Sequence, residues 1–202
     1  KVQNMTEQPY ILFCESPFET NKVDEDFEDQ FISAKENGFE VVLFHFDDLT
    51  SSDRFSIATK RIKPNDRLVP IIYRGWMLTP EQYTFLYNDL LSKNYQLINT
   101  PKEYRNCHYL PDSLQFIEKY TPKTVFQVWD DENSMDLLVE KAQVFGNKPV
   151  VLKDYVKSEK HDWETACFVP DASNAEKLNQ TNRRLVELRN KQLNEGIVVR
   201  EF

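Results

Sequence analysis

Short apolar runs alternate with amphipathic stretches along the first hundred residues of the chain. Four of these runs are continuous enough to predict strands, namely YILFC (10–14), FEVVLFHF (39–46), LVPIIY (68–73) and YQLIN (95–99). Residues 24–36 and 79–94 instead repeat their apolar positions at helical spacing. Continuous apolar strands joined through helices are typical of an open parallel sheet with helices on its faces. This half of the sequence therefore predicts an α/β domain.

The helix predicted over residues 79–94 has the clearest boundary signals. Thr79 stands at the N-cap position, Pro80 at the first helical position and Gln82 at the third, which is the pattern of a capping box. The helix predicted over residues 24–36 is followed by Gly38, and glycine readily adopts the left-handed conformation that ends a helix.

After Pro111 the pattern changes to shorter elements in a different order. Strands are predicted within TPKTVFQV (121–128), PVVLKDY (149–155), ACFVP (166–170) and GIVVREF (196–202). Helices are predicted within PDSLQFIEKY (111–120) and over about 131–145 and 172–194. We place a domain boundary near Thr121, which divides the chain into residues 1–121 and 122–202.

Composition narrows the classes of protein that fit this pattern. The 202 residues are 40% hydrophobic and 13% aromatic, which is enough to build a core, and no apolar run is long enough to span a membrane. A net charge of −8 excludes the overall basic character of a duplex-DNA binder. The cysteines, odd in number and far apart, favour reduced thiols in a cytoplasmic protein over a disulfide framework or a zinc site; they are Cys14, Cys107 and Cys167. The oligomeric state stays open, a homodimer included.

Two familiar phosphate-binding motifs are missing from the sequence. The chain has four glycines, and they form neither the G-x-G-x-x-G pattern after the first strand nor the G-x-x-x-x-G-K-[ST] loop. The first half of the chain is therefore predicted to have a structural or substrate-binding role rather than a nucleotide site of either kind.

Two lysines follow the predicted strand PVVLK, at positions 153 and 157. If the chain stays extended, Lys153, Tyr155 and Lys157 share one face, and the two lysines are roughly 13 Å apart at their roots. That spacing suits contacts with successive groups of an extended anionic ligand. The alternative is a solvated strand end, because lysines there discourage edge pairing. The polar turn that follows contains Trp163, which we interpret as an anchor for the turn.

A second candidate, Arg74, leaves the carboxyl end of a predicted strand, and Gly75 permits a tight turn after it. Ligands of open α/β sheets bind beyond the carboxyl ends of strands, and arginine suits bidentate capture of a carboxylate or phosphate. A structural ion pair with an acid is an equal alternative. We reject Cys107 and His108 as a nucleophile–base pair, because neighbours on a strand face opposite ways.

Three stretches, taken in order, resemble the ATP-grasp superfamily and, within it, the clade named for one arginine and two lysines. They are YRGWML…LINTPKEYRNCHYLPD, VVLKDYVKSEKHDW…ACFVPD and GIVVREF. The resemblance covers nearly all of residues 70–202. It implies an open parallel-sheet, Rossmann-like pre-ATP-grasp domain over residues 1–121, followed by the small α+β subdomain of an ATP-grasp fold over residues 122–202.

The resemblance also implies which residues of the second domain bind ATP. Lys153 would contact the nucleotide phosphates, and Lys157 would be the second lysine of the clade, with a catalytic role. GIVVREF is similar to the hinge strand whose backbone reads adenine, which would put Arg200, Glu201 and Phe202 beside the base.

The implied reaction joins a carboxylate to an amine through an acyl phosphate formed from ATP. Arg74 would be a catalytic arginine on the acceptor or phosphate side, and positioned cations would stabilise charge on the transferring phosphoryl oxygens. Members of the clade have also been proposed to join RNA ends, so RNA stays an alternative acceptor. A non-catalytic module that binds nucleotide or protein is a third interpretation.

The resemblance departs from the family at the end of the chain. Magnesium-binding carboxylates in the family lie downstream of the hinge strand, whereas this sequence ends at Phe202. We therefore expect the N-terminal portion of a longer ligase, inactive alone, which uses ATP and Mg²⁺ with the metal ligands outside this chain. Completion by a partner or a non-catalytic role are the alternatives.

Overall fold

A computed structural model describes residues 8–51, 53–130 and 133–202. The chain divides into two compact units, Lys1–Tyr104 and Arg105–Phe202. This division, which follows contacts within the chain, differs from the domain boundary that the sequence places near Thr121. The boundary near Thr121 stays a prediction. Within the described ranges, no helix combines the length and the apolar composition needed to cross a membrane.

The first unit is built on a parallel sheet of four strands. These are β1 (Tyr10–Cys14), β2 (Val41–Phe44), β3 (Val69–Arg74) and β4 (Tyr95–Leu97). Their order in the sheet is β2-β1-β3-β4, and every neighbouring pair is parallel. The predicted open parallel sheet is therefore confirmed, with each strand within two residues of its expected position.

Helices connect or follow these strands. They are α1 (Glu28–Glu36), α2 (Phe46–Thr50), α3 (Pro80–Ser92) and α4 (Pro101–His108), with 3₁₀ turns at Glu25–Phe27 and Phe55–Ile57. The capping box of α3 is present, because the Thr79 hydroxyl accepts from the Gln82 backbone and the Gln82 side chain accepts from Thr79 N–H at 2.8 Å. Gly38 has φ +78, as expected after α1.

One local prediction in this region was wrong. Cys107 and His108 lie in α4 and not on a strand, so the argument from alternating strand faces does not apply to them. The helix begins at Pro101 after Thr100, whose hydroxyl accepts from the Glu103 backbone while the Glu103 carboxylate accepts from Thr100 N–H. This capping pattern was visible in the sequence as T-P-K-E and identifies a helix start.

The second unit is built on an antiparallel sheet of four strands. These are β5 (Thr124–Val128), β6 (Val150–Asp154), β7 (Phe168–Val169) and β8 (Gly196–Glu201). Their order is β5-β8-β6-β7, so the strand at the end of the sequence occupies an inner position. This mixture of antiparallel strands and helices confirms the predicted α+β character.

Among the described residues, the helices that lie wholly within this unit are α5 (Leu110–Ile117), α6 (Asn133–Ala142) and α7 (Ala175–Arg189). Residues 131 and 132, predicted to begin α6, lie outside the described residues. The strand predicted over residues 166–170 is shorter than expected, because Trp163–Cys167 form a single π-helical turn and leave only β7 extended.

The two faces of this sheet differ in what they carry. On one face, Leu152, Ile197 and Val199 are fully buried in a core with residues of α6 and α7 such as Leu138 and Leu178. Strand alternation and register put another set on the opposite face, and we call these residues the second face: Phe126, Val151, Lys153, Phe168, Val198 and Arg200. The sheet therefore presents two cationic side chains on the face away from its helical core.

Candidate functional site

Lys153 lies near the end of β6 on the second face. Its ammonium donates a hydrogen bond to the Val156 backbone carbonyl at 2.9 Å. Burial lowers the pKa of Lys153, the nearby positive charges of Arg200 and Lys160 lower it further, and Asp154 acts in the opposite direction. An anionic ligand would stabilise the charged form of such a partly desolvated ammonium with cationic neighbours.

The chain turns sharply after Lys153 instead of staying extended. Asp154 N–H donates to the Lys157 carbonyl at 2.9 Å, and the Asp154 carboxylate accepts from the backbone N–H groups of Val156, at 2.7 Å, and Lys157. The prediction that Lys153, Tyr155 and Lys157 share one strand face is therefore wrong, because the strand ends at Asp154. Lys157 is exposed on the turn.

The turn is held in place by a buried ion pair at the end of α7. The Asp154 side chain has no exposed surface, and its Oδ2 accepts from Arg189 Nε at 3.0 Å and from Asn194 Nδ2 at 2.8 Å. Arg189 also donates to Glu159 at 3.1 Å and to the Gln192 carbonyl at 2.8 Å. Asp154 and Arg189 therefore fix the backbone that carries Lys153 and Lys157.

Arg200 and Glu201 point to opposite faces of β8. Arg200 lies on the second face as a diagonal neighbour of Lys153, roughly 7 Å away at the Cβ atoms, and its guanidinium donates to the Thr121 hydroxyl. Glu201 faces the other way and forms an ion pair with Lys148 at 2.6 Å. Arg200 therefore lies with Lys153, whereas the Glu201 carboxylate does not.

Aromatic side chains adjoin these cations. Trp163 stacks on Phe168 with ring centroids 5.6 Å apart and an interplanar angle of 13°. Phe202 packs edge-on against Phe168 at 5.2 Å and contacts Trp163 at 5.8 Å, while 69% of its own surface stays exposed. Trp163 therefore anchors its turn, as predicted from the sequence. Together the cluster offers a flat apolar surface beside two cations.

Arg74 belongs to the first unit, away from these residues in the sequence. It is exposed at the end of β3, its guanidinium stacks over the Phe27 ring at 5.5 Å, and its Nε donates to Gln30. The structural alternative expects an ion pair with an acid, and across the described parts of the chain Arg74 forms none. The guanidinium keeps donors available for a ligand.

Side chains that could bind a metal ion are dispersed over the fold. Within residues 8–51, 53–130 and 133–202, no group of three or more His, Cys, Asp or Glu side chains could hold a metal ion. These residues therefore do not fit a Mg²⁺ site.

Sequence comparison identifies one family model. Residues 144–202 match the ATP-grasp domain of family 3 in the clade named for one arginine and two lysines, a range that contains Lys153, Lys157 and the strand β8. Comparison with curated proteins gave no match.

Solved structures match the chain over nearly its whole length. A RimK domain ATP-grasp protein from Sphaerobacter thermophilus is 18% identical with a TM-score of 0.51, and the match covers 95% of this chain and 64% of that one. D-alanyl-alanine synthetase A from Vibrio cholerae is 9% identical with a TM-score of 0.51, covering 96% and 59%. N5-carboxyaminoimidazole synthetase from Staphylococcus aureus, complexed with ADP, is 12% identical with a TM-score of 0.50, covering 96% and 48%.

Because the three structures are only 18%, 9% and 12% identical to this chain, the matches establish its fold and not its activity. The chain spans between 48% and 64% of the length of these three structures. The chain has the fold that these solved structures share, and its residues 144–202 are similar in sequence to the ATP-grasp domain of this clade.

Proposed function

We propose that this protein supplies part of the nucleotide site of an ATP-dependent ligase that joins a carboxylate to an amine. The observation that carries the proposal is the placement of Lys153 and Arg200 on one sheet face beside the exposed aromatic surface of Phe202. Cations next to a flat apolar surface match a ligand that is anionic at one end and planar at the other.

Each side chain has a specific role in this proposal. Lys153, held by the Val156 carbonyl, binds phosphate oxygens, and Lys157, exposed on the following turn, contacts the transferred phosphoryl group. Phe202 packs against the base. Because its carboxylate is paired with Lys148, Glu201 acts at the base through its backbone. Arg200 borders the same site on the second face.

The reaction balances without a redox partner. A carboxylate oxygen of the acid attacks the γ-phosphorus of ATP, the bond to the ADP oxygen breaks, and an acyl phosphate forms. The amine nitrogen then attacks the acyl carbon, phosphate leaves, and the amine loses a proton. Arg74, with its exposed guanidinium, is proposed to bind a carboxylate or phosphate on the acceptor side. Mg²⁺ belongs to the proposal with ligands from outside this chain.

Nucleotide binding tests the site directly. We expect calorimetric titration of the chain with ATP to show binding, and the Lys153→Ala variant to bind at least about tenfold more weakly, because a desolvated charge-assisted contact is lost. Lys191→Ala, an exposed lysine in the same unit, is the matched control and should bind as the wild type does. Equal affinity of all three proteins would refute the proposed role of Lys153.

Product analysis separates the proposed reaction from the joining of RNA ends. Amide formation through an acyl phosphate must release ADP and phosphate. Joining of RNA ends through an adenylated end instead releases pyrophosphate when the end is adenylated and AMP when the two ends are joined. Phosphorus NMR of a reaction containing the complete protein, ATP and candidate acids and amines distinguishes the two sets of products. Release of AMP that depends on RNA would replace the amide ligase with the RNA alternative.

The cysteines support a reducing compartment. Cys14 and Cys167 are buried free thiols and Cys107 is an exposed one. Exposed thiols persist where glutathione and thioredoxin keep them reduced, so we include the cytoplasm in the proposal. Mass spectrometry of protein alkylated in intact cells should find Cys107 modified as a thiol.

A further inference from the structure

The second unit contains a cavity of about 480 Å³ on the helical side of its sheet. The residues that line it are Trp129, Asn133, Met135, Asp136, Asn179 and Arg183. Trp129 follows β5 and packs against the buried core to which α6 and α7 contribute. Lys153 and Arg200 lie on the second face, which is the opposite side of the sheet, so this cavity is separate from the proposed nucleotide site. Its volume is in the range of small-molecule sites.

One side of α6 and one side of α7 form two walls of this cavity. On α7, Asn179 and Arg183 are four positions apart, so they lie along the same side of the helix. On α6, Asn133 and Asp136 are three positions apart and likewise share a side. Both helices pack into the same core. The cavity therefore receives a cation from one helix and an anion from the other.

The two charged side chains of the cavity are not paired. Arg183 and Asp136 are both exposed, and within residues 8–51, 53–130 and 133–202 neither forms an ion pair, with each other or with another residue. The other arginines of α7 differ in this respect, because Arg184 pairs with Asp162 and Arg189 pairs with Asp154. Arg183 and Asp136 therefore keep their charges available for a ligand.

Three buried oxygens of α7 add a second observation at this place. Asn179 Oδ1, Thr181 Oγ1 and Asn182 Oδ1 have no hydrogen-bond partner in the described parts of the chain. Asn182 has no exposed surface, and its Nδ2 donates at 3.0 Å to the sulfur of Met135, which lines the cavity. Buried polar groups are nearly always hydrogen-bonded. Asn179 Oδ1, on a side chain that lines the cavity, is therefore an acceptor that a ligand donor would satisfy.

The opposite charges restrict the class of ligand. A simple anion would be attracted by Arg183 and repelled by Asp136, and a simple cation would meet the reverse. A molecule that carries a carboxylate and an ammonium on one carbon can meet both side chains. The indole of Trp129 and the thioether of Met135 supply apolar surface beside these charges. This surface suits an apolar side chain on the same molecule.

We propose that this cavity binds a free α-amino acid with an apolar side chain. The carboxylate of the amino acid binds Arg183, its ammonium donates to Asp136 and to Asn179 Oδ1, and its side chain packs on Trp129. The inference goes beyond the proposed function and does not rest on it, because every residue that it uses lies on the helical side of the sheet.

L-leucine and two analogues that each lack one charge are suitable probes. Isopentylamine lacks the carboxylate, and isocaproate lacks the ammonium. Each would be titrated into the ¹⁵N-labelled chain while the indole N–H resonances are followed. The chain has three tryptophans, so the Trp129 resonance is assigned by its loss in Trp129→Phe.

We expect L-leucine to shift the Trp129 resonance with saturation. Each analogue should bind at least about fivefold more weakly, since one charge contact in a partly exposed site is lost. The absence of a saturable shift with L-leucine, or an analogue that binds as tightly as L-leucine, overturns the proposal.

Variants test the two charges separately. Arg183→Gln should weaken L-leucine binding about fivefold and should not weaken isopentylamine binding, because this analogue has no carboxylate. Asp136→Asn should weaken L-leucine binding by a similar factor and should not weaken isocaproate binding. Both side chains are exposed, so the fold should be kept.

Arg184→Gln is the matched control, because Arg184 is the exposed neighbour of Arg183 on α7 and does not line the cavity. This variant should bind L-leucine as the wild type does. Unchanged L-leucine affinity in Arg183→Gln or in Asp136→Asn would contradict the proposal, and so would an equal loss of affinity in Arg184→Gln.

Discussion

Arg189 and Asp154 form an ion pair of 3.0 Å that joins the end of α7 to the turn following β6. The Asp154 side chain is completely buried and the Arg189 side chain is 10% exposed. The pair lies beneath the turn that carries Lys153 and Lys157. The position of the proposed phosphate-binding lysines therefore depends on a carboxylate that is closed off from any ligand.

Asp154→Asn should destabilise the protein by about 3 kcal/mol, because the Arg189 guanidinium loses its fully buried charge partner and keeps only the partly exposed Glu159. The substitution conserves size, so the loss reports charge and hydrogen bonding rather than a cavity. Urea denaturation followed by circular dichroism measures the free energy of unfolding.

The matched control is Asp162→Asn, which removes a carboxylate 3.8 Å from Arg184 on the surface. Exposed pairs contribute little, so this variant should lose less than about 0.5 kcal/mol. Similar losses of unfolding free energy in the two variants would show that the buried Asp154–Arg189 pair contributes no more to stability than an exposed pair.

The sequence predicted most of the fold because its strands and helices are defined by local patterns. The four parallel strands and the capping box at Thr79 follow from apolar runs and from residue types at fixed spacing. The turn after Lys153 could not be predicted in this way, because it depends on Arg189 and Asn194, which lie 35 and 40 positions from Asp154. One signal was present: Asp154 occupies a core-facing strand position, where a carboxylate requires a buried partner.

Gly196 begins β8 where the neighbouring chain leaves no room for a side chain. A Cβ at this position would meet the Gln127 carbonyl oxygen and would lie 2.6 Å from a ring carbon of Tyr155. The Gly196→Ala substitution should therefore lower the free energy of unfolding by about 2 kcal/mol or more, since backbone atoms of β5 must move.

Gly38→Ala is the comparison for this prediction. Gly38 has φ +78 with no atom near the position of a Cβ, so its substitution costs only the backbone strain, about 1 kcal/mol. Thermal unfolding of both variants under the same conditions would decide between them. A larger loss at Gly38 than at Gly196 would contradict the steric explanation, which rests on the close packing at the start of β8.

The site was predicted less completely than the fold. Lys153 and Arg200 are brought to one face, as a shared site requires, because β6 and β8 are neighbours in the antiparallel sheet. The Glu201 side chain faces away, and only the register of β8 reveals this. The contacts of Phe202 with Trp163 and Phe168 arise from a π-helical turn, for which the sequence has no simple periodic pattern.

The desolvation of Lys153 should appear as a pH-dependent stability cost in the protein without ligand. Burial places the pKa of Lys153 in the folded protein below its ordinary value of 10.5. Below the folded pKa both states bind the proton, and the cost of the buried charge is complete. As pH rises toward 10.5, the folded state releases its proton first, so stability increases with pH. Lys153→Met removes the charge and should therefore be more stable than the wild type near pH 7, with a difference that shrinks as pH approaches 10.5.

Lys157→Met provides the control, because Lys157 is exposed on the same turn. The free energy of unfolding of both variants and of the wild type is measured by urea denaturation at the same series of pH values. A Lys153→Met variant that is less stable than the wild type at neutral pH would mean that the bond to the Val156 carbonyl outweighs desolvation. Lys153 would then stabilise the turn in the protein without ligand. That result would contradict the hypothesis that Lys153 lowers the stability of the free protein and serves to bind an anionic ligand.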